Sequence, residues 1–231
     1  MNSESEEQAA PPAPDVILRP YRPEDEERIR DICLSTALYG QSIGPLVHNT
    51  RLVTDAFVLY HMRDEPEALY VAVANNAVVG YLAGAVSRRR LVRGYWLHIL
   101  PHMAWQFFIR RHWLRRRAWR LLATGSKHAG VWRDYRDVLD RDYPALLHIN
   151  LAEGYRGFGI GARLLRRFLV HLQSRGVRGV HISTATSRGM AFFSRGGFTV
   201  LATGTDSSAA DGSPVKMWLM VRPVAAKPAE P

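Results

Sequence analysis

The chain has 231 residues, 47% apolar and 23% charged, which is enough for one substantial hydrophobic core. A single cysteine, Cys33, excludes an internal disulfide framework and a cysteine-based zinc site and suits a reducing compartment. The net charge is +10. It is unevenly spread, because residues 88–133 and 154–205 hold no Asp or Glu, and such a field favours anionic ligands.

Ser3 to Pro14 is acidic and proline-rich, the reverse of a signal peptide. Residues 1–14 and 223–231 are therefore expected as disordered tails around one domain, 15–222, of a cytoplasmic protein. Val16–Pro20 is a short β-like run. Pro23 then opens a helix to about Ser35, with acids in its first turn as the helix dipole prefers. A second helix is expected over 50–63. "ALYVAVANNAVVGYLAGAV" reads as a hairpin, with strands 68–74 and 77–86 joined at Asn75-Asn76. Residues 101–122 are expected as a helix that starts after Pro101. "PALLHINL" (144–151) is a compact apolar run of the kind that forms a buried strand. A helix follows over 159–175, with Leu164, Leu165, Phe168, Leu169 and Leu172 as its buried stripe. Strand 177–184, helix 188–196 and strands 196–203 and 215–221 complete the chain. The alternation implies a mixed α/β layer fold around one sheet.

Gly157, Gly159 and Gly161 sit at the mouth of the 159–175 helix, after Arg156. Glycine costs roughly 1 kcal/mol against alanine inside a helix, so three of them need a reason. The first amides of a helix lack internal partners and carry partial positive charge, which suits phosphate. A Walker loop needs Gly-Lys-Ser/Thr, whereas Gly161 is followed by Ala162 and Arg163. A dinucleotide fingerprint needs G-x-G-x-x-G and a later acid. The spacing here is G-x-G-x-G, and no acid follows before Asp206. A bare strand–helix turn would explain the glycines but not Arg156 beside them.

The run Arg156-Gly157-Phe158-Gly159-Ile160-Gly161 resembles the acyl-CoA loop of the GNAT superfamily of N-acetyltransferases, Arg/Gln-x-x-Gly-x-Gly/Ala between a strand and a helix. "VILRPYRPEDEERIRDIC" looks like that family's first strand and helix, and the hairpin like its second and third strands. "MAFFSRGGFTVL" is similar to its A-x-x-F-Y-x-x-x-G-F segment. The likeness spans about 16–87 and 144–221. "YPALLHINL" is further similar to bacterial relatives of the acetyltransferase-like domain of O-GlcNAcase. The resemblance implies a mixed sheet whose central strands splay apart and hold acetyl-CoA. Leu151 and Ala152 would lie along the pantetheine, and Arg156, Gly157, Phe158, Gly159, Ile160, Gly161 and Ala162 around the pyrophosphate. It also implies direct attack of an amine on the thioester. No metal site is expected, and no specific nucleic-acid partner.

The chain departs from the family at the acid. The usual tyrosine falls on Phe193, which has no proton to give, and the frequent asparagine falls near Thr186. Water, another residue, or binding without turnover would each account for this; thiols ionise close enough to neutral for solvent to serve. With 154–205 free of acid, a carboxylate base must come from Glu153, from 134–142 or from the first helix. His148 has a suitable intrinsic pKa and is the candidate base, against the plainer reading of a satisfied strand histidine. Asn150 reads as a bridge between strands, and His181 as packed on the next strand.

Residues 88–143 are expected as a basic helical insertion. "GYWLHILPHMAWQFFIRRHWLRRRAWRLL" (94–122) combines four tryptophans with many arginines, and its uncharged run Gly94–Ile109 is too short to span a bilayer. Three readings stand: a helix packed on the sheet with its arginines in water, a helix on an anionic membrane surface with the protein peripheral to it, or a grip on RNA or another acidic partner through 88–120. The rival to an enzyme is a noncatalytic CoA-binding or membrane-surface protein.

Overall fold

The computed structural model describes residues 14–36, 50–109, 131–206 and 214–224, the side chains of 52, 107 and 108 excepted. Seven strands form one sheet in the order β1-β2-β3-β4-β5-β7-β6. They are β1 (Ile17–Pro20), β2 (Leu69–Ala74), β3 (Ala77–Ala85), β4 (Ala145–Leu151), β5 (Gly179–Thr184), β6 (Thr199–Asp206) and β7 (Val215–Pro223). All neighbours are antiparallel except β4 and β5. This is the mixed sheet that the sequence pattern predicts.

The strands alternate between two cores, as a period-2 pleat requires, with the pattern shifted at Val79 and Leu201 where the register slips by one residue. Leu69, Val71, Tyr81 and Ala83 join Ile29, Ile32 and Cys33 of helix α1 (Glu26–Thr36) on one face. Tyr70, Ala72, Leu82 and Leu147 join Leu164, Phe168 and Leu172 of helix α5 (Ile160–Ser174) on the other. Helix α6 (Ser187–Arg195) adds Phe193 to that second core. The first face also carries α2, α3 and α4. Helix α2 runs as Thr50–Thr54, a π-helical stretch Asp55–Leu59, and Tyr60–Arg63. Helix α3 runs as Arg88–Gly94, a π-helical stretch Tyr95–Ile99, and Leu100–Ile109. Helix α4 is Arg136–Asp142.

The hairpin turn is as expected: Asn75 and Asn76 both take positive φ, the backbone of a type I′ turn whose twist matches that of the strands. Three expectations need correction. The helix placed after Pro101 starts at Arg88 and runs straight through the proline. Proline lacks an N–H and crowds the carbonyl four residues back. The wider π turn immediately before Pro101 relieves both problems. Residues 110–122 of that expected helix lie outside the described residues. The last strand extends to Pro223, and the Val224 N–H donates to the Arg178 carbonyl at 2.8 Å, so the domain reaches into the expected tail. The sixth strand runs to Asp206 rather than 203. Residues 1–13 and 225–231 of the expected tails lie outside the described residues.

Candidate active site

The middle of the sheet is where its pairing fails. β3 and β4 stay in register from Ala85–Leu146 to Gly80–Leu151. β4 and β5 pair only at Ala145–Val180 and Leu146–His181. Beyond Leu146 the parallel neighbours diverge and leave one edge of β4 without a strand partner, so an extended ligand can hydrogen-bond there as an added strand would.

The glycine loop closes the end of this gap. The Ala152 N–H is tied to the Val79 carbonyl at 2.8 Å and the Tyr155 N–H to the Ala152 carbonyl at 3.2 Å. Gly157 (φ +92°) and Gly159 (φ +73°) are left-handed, and a Cβ added to either would meet nothing within 4 Å. Backbone conformation, not space, therefore demands glycine there. Gly159 caps α5, and its carbonyl accepts the first helical bond, from the Arg163 N–H at 3.1 Å. Gly161 answers a different need. It is helical, and a Cβ there would press on the Phe192 ring at 3.2 Å. Among the described residues, the N–H groups of Gly157, Phe158, Gly159, Ile160, Gly161 and Ala162 find no acceptor. Six unsatisfied amides at the positive end of a 15-residue helix could hold a diphosphate. Arg156 is exposed beside them, its Nε 3.4 Å from the Leu151 carbonyl. Leu151 packs against the α5 core and Ala152 against the α1 core. The predicted cofactor residues thus come together in one continuous cradle, and the donor set fits a phosphorylated ligand.

The face of β4 away from α5 carries a polar chain. Asn150 lies directly opposite Tyr81 in the register, and its Nδ2 donates to the Tyr81 hydroxyl at 3.0 Å, so Asn150 bridges the two strands as expected. The same amide nitrogen lies 2.9 Å from His148 Nε2. An amide N–H only donates, so Nε2 accepts and Nδ1 carries the proton. His148 also faces the exposed Phe57 ring of α2, stacked at 6.1 Å. Burial, with His61 nearby, pushes His148 down to about 4. Burial likewise pushes His61 to about 4, and its Nδ1 donates to the Gly84 carbonyl at 2.8 Å. Both rings are neutral near pH 7. Burial, and then Cys33, raises the Tyr81 hydroxyl well above the usual tyrosine range. His61, Phe57 and Tyr81 carry no local sequence signal; only pairing and packing place them beside His148.

Of the carboxylates named as alternative bases, Asp140, Asp142 and Glu26 are engaged elsewhere. Asp140 grips Arg88 at 2.7 and 2.6 Å and Arg89 at 3.0 Å. Asp142 pairs with Arg141, and Glu26 with Arg30 and Arg51. Asp55 is buried against Arg30 at 2.7 Å, and Glu153 is exposed on the turn after β4. Phe193 is 5% exposed, edge-on to Phe192 and Phe198, so its position is a core position with no proton donor. The Thr186 hydroxyl is taken by the Gly189 N–H at 3.0 Å as the cap of α6. His181 is buried, its Nδ1 donating to the Tyr143 carbonyl at 2.7 Å. Among the described residues no cluster suits a metal ion.

A family model described as "Acetyltransferase (GNAT) family" matches residues 39–198, more than half of the chain. The chain belongs to the GNAT family. The solved structure of SsHAT has 28% identity and TM-score 0.67 over 92% of this chain and 100% of that one. A phosphinothricin acetyltransferase from Sinorhizobium meliloti, solved with AcCoA, has 17% identity and TM-score 0.57 over 94% and 92%. An agmatine N-acetyltransferase has 16% and 0.56 over 90% and 99%; the last two likenesses are of fold. No curated protein sequence matches the chain. This GNAT protein is an acyl-transferring enzyme that acts on amines.

Proposed function

We propose that the enzyme transfers acetyl from acetyl-CoA to a primary amine by direct attack on the thioester. The observation that carries this reading is the gap between β4 and β5 ending on six partnerless amides. A pantetheine arm fits the unpaired edge of β4 beyond Leu146, with the diphosphate on residues 157–162 and Arg156 at the entrance. Phe57 is exposed and stacks on His148, so the amine enters beside these two rings.

A protonated amine has no lone pair, so a base must receive its proton. Neutral His148 is that base: its Nε2 lone pair accepts from the Asn150 amide at rest, and takes the amine's proton once that amide turns aside and is held by Tyr81 alone. The C–N bond forms as the C–S bond breaks, and the departing thiolate takes its proton from solvent, because Phe193 offers none.

The test is release of free CoA from acetyl-CoA across a panel of small amines, aminosugars and peptide N-termini. Turnover with at least one amine supports the reading. Tight CoA binding with no transfer to any acceptor would replace it with noncatalytic CoA binding. Crystals soaked with acetyl-CoA would then show whether the thioester carbon faces His148.

A further inference from the structure

Helix α3 has one face that the fold explains and one that it does not. The inner face is firmly packed. Ile99 is fully buried with Tyr60 of α2 and Ala85 of β3, and Leu91, Tyr95 and Met103 pack around them. Gly94 brings the helix so close to Tyr60 that a Cβ there would stand 2.6 Å from its ring. His98 meets Asp64 at 2.9 Å and His102 meets Asp55 at 3.3 Å.

The outer face inverts what a water-facing helix shows. Trp96 is 66% exposed, Trp105 65%, Leu97 57% and Ile109 57%. Arginine, not tryptophan, is the residue drawn inward: Arg88 lies on Asp140 at 2.6 Å. The π turn decides this arrangement. Trp96 and Trp105 are nine residues apart, which at about 100° per residue puts them on opposite sides of a straight α-helix. The extra residue of the π stretch Tyr95–Ile99 absorbs roughly one such step. Both indoles then fall on one apolar face, together with the exposed Leu97. A contiguous exposed apolar face of this kind marks an interaction surface.

Charge selects the occupant. Arg88 to Ile109 contains no acid, and Arg89, Arg90 and Arg93 are exposed on the first two turns, Arg89 touching Asp140 at 3.0 Å and Arg90 touching Glu65 at 3.6 Å from their inner sides. Basic residues beside exposed tryptophan, leucine and isoleucine on one helix are the pattern of a helix lying in a lipid headgroup layer. Among the described residues no helix is long and apolar enough to cross a membrane. A nucleic acid would want arginines interleaved with the aromatics; between Arg88 and Ile109 the arginines gather at one end and the apolar groups at the other.

We propose that the outer face of α3 docks on an anionic lipid bilayer, with Trp96, Leu97, Trp105 and Ile109 in the headgroup boundary and Arg89, Arg90 and Arg93 against lipid phosphates. The proposal is independent of the acetyl-transfer chemistry. The test uses the full chain and sedimentation with vesicles of phosphatidylcholine and phosphatidylserine in equal parts, beside vesicles of phosphatidylcholine alone. The protein should pellet with the first and stay largely in solution with the second, and the tryptophan emission should shift to the blue on binding. Trp96→Ala with Trp105→Ala should weaken partitioning by about tenfold or more, and Arg93→Gln by roughly fivefold. Circular dichroism and acetyl-CoA turnover, which these residues do not enter, verify that each variant is folded. If the double variant misfolds, Trp105→Gln alone, at the more distal position, carries the same expectation. Equal pelleting of folded variant and parent, absence of binding to both vesicles, or capture by RNA with no lipid binding would each overturn the proposal.

Discussion

The two sides of β4 are built on different principles. On the α5 side the cradle is a run of consecutive residues, and its geometry follows from two left-handed glycines and a helix start. On the α1 and α2 side the polar chain joins His148 and Asn150 to Tyr81, Phe57 and His61, drawn from one strand, its neighbour and a helix far away in sequence. A site made of contiguous backbone serves a ligand part common to many reactions. A site made of converging side chains can vary with the acceptor without disturbing the first. Cofactor binding and acceptor chemistry should therefore separate under mutation.

The largest expected effect tests the backbone side. Gly159→Val forces a β-branched side chain into φ +73°, which costs about 1 to 3 kcal/mol of strain or moves the amides off the diphosphate. CoA affinity should fall by about a hundredfold or more in equilibrium binding. Gly154→Ala, also at positive φ but outside the six-amide run, should cost affinity far less. Equal losses would mean that loop strain matters rather than amide placement.

On the other side, His148→Gln should lower kcat by about a hundredfold with the KM for acetyl-CoA unchanged. A matching rise in KM would merge the two regions into one. Asn150→Ala should give a smaller kcat loss, and its pH profile should show the His148 limb displaced upward, because the amide donor that favours the unprotonated Nε2 is gone.

The histidine pair should also appear in stability. His61 and His148 sit near 4 when folded against an ordinary 6.5. Unfolded chains bind these protons first, so their contribution is complete above about pH 6.5 and is lost as the pH falls toward 4. Thermal midpoints over that range should drop less steeply in His61→Asn than in the parent. Parallel slopes would show that the histidines do not set the acid limit.

The smallest effect is expected from restoring the family's tyrosine. Phe193→Tyr places a hydroxyl within a cluster of three phenylalanines, so stability should fall by about 1 to 3 kcal/mol and kcat should change by less than about threefold. A large rate gain would show that position 193 reaches the departing thiolate.

What the chain alone determined follows the range of the forces involved. The strand, glycine loop and amphipathic helix from Ala145 to Ser174 are local: period and positive φ act within a few residues, so these elements were readable there. The Asn75-Asn76 hairpin was readable for the same reason. Only the tertiary structure decided the rest. The register set Tyr81 opposite Asn150, and packing brought Phe57 and His61 to His148 and buried Phe193 against Phe192 and Phe198. The π turn in α3 turned Trp105 toward the side of Trp96, which a period of 3.6 applied to the sequence would have reversed. Such choices depend on contacts between segments far apart in the chain, whose energies exist only once the sheet has formed.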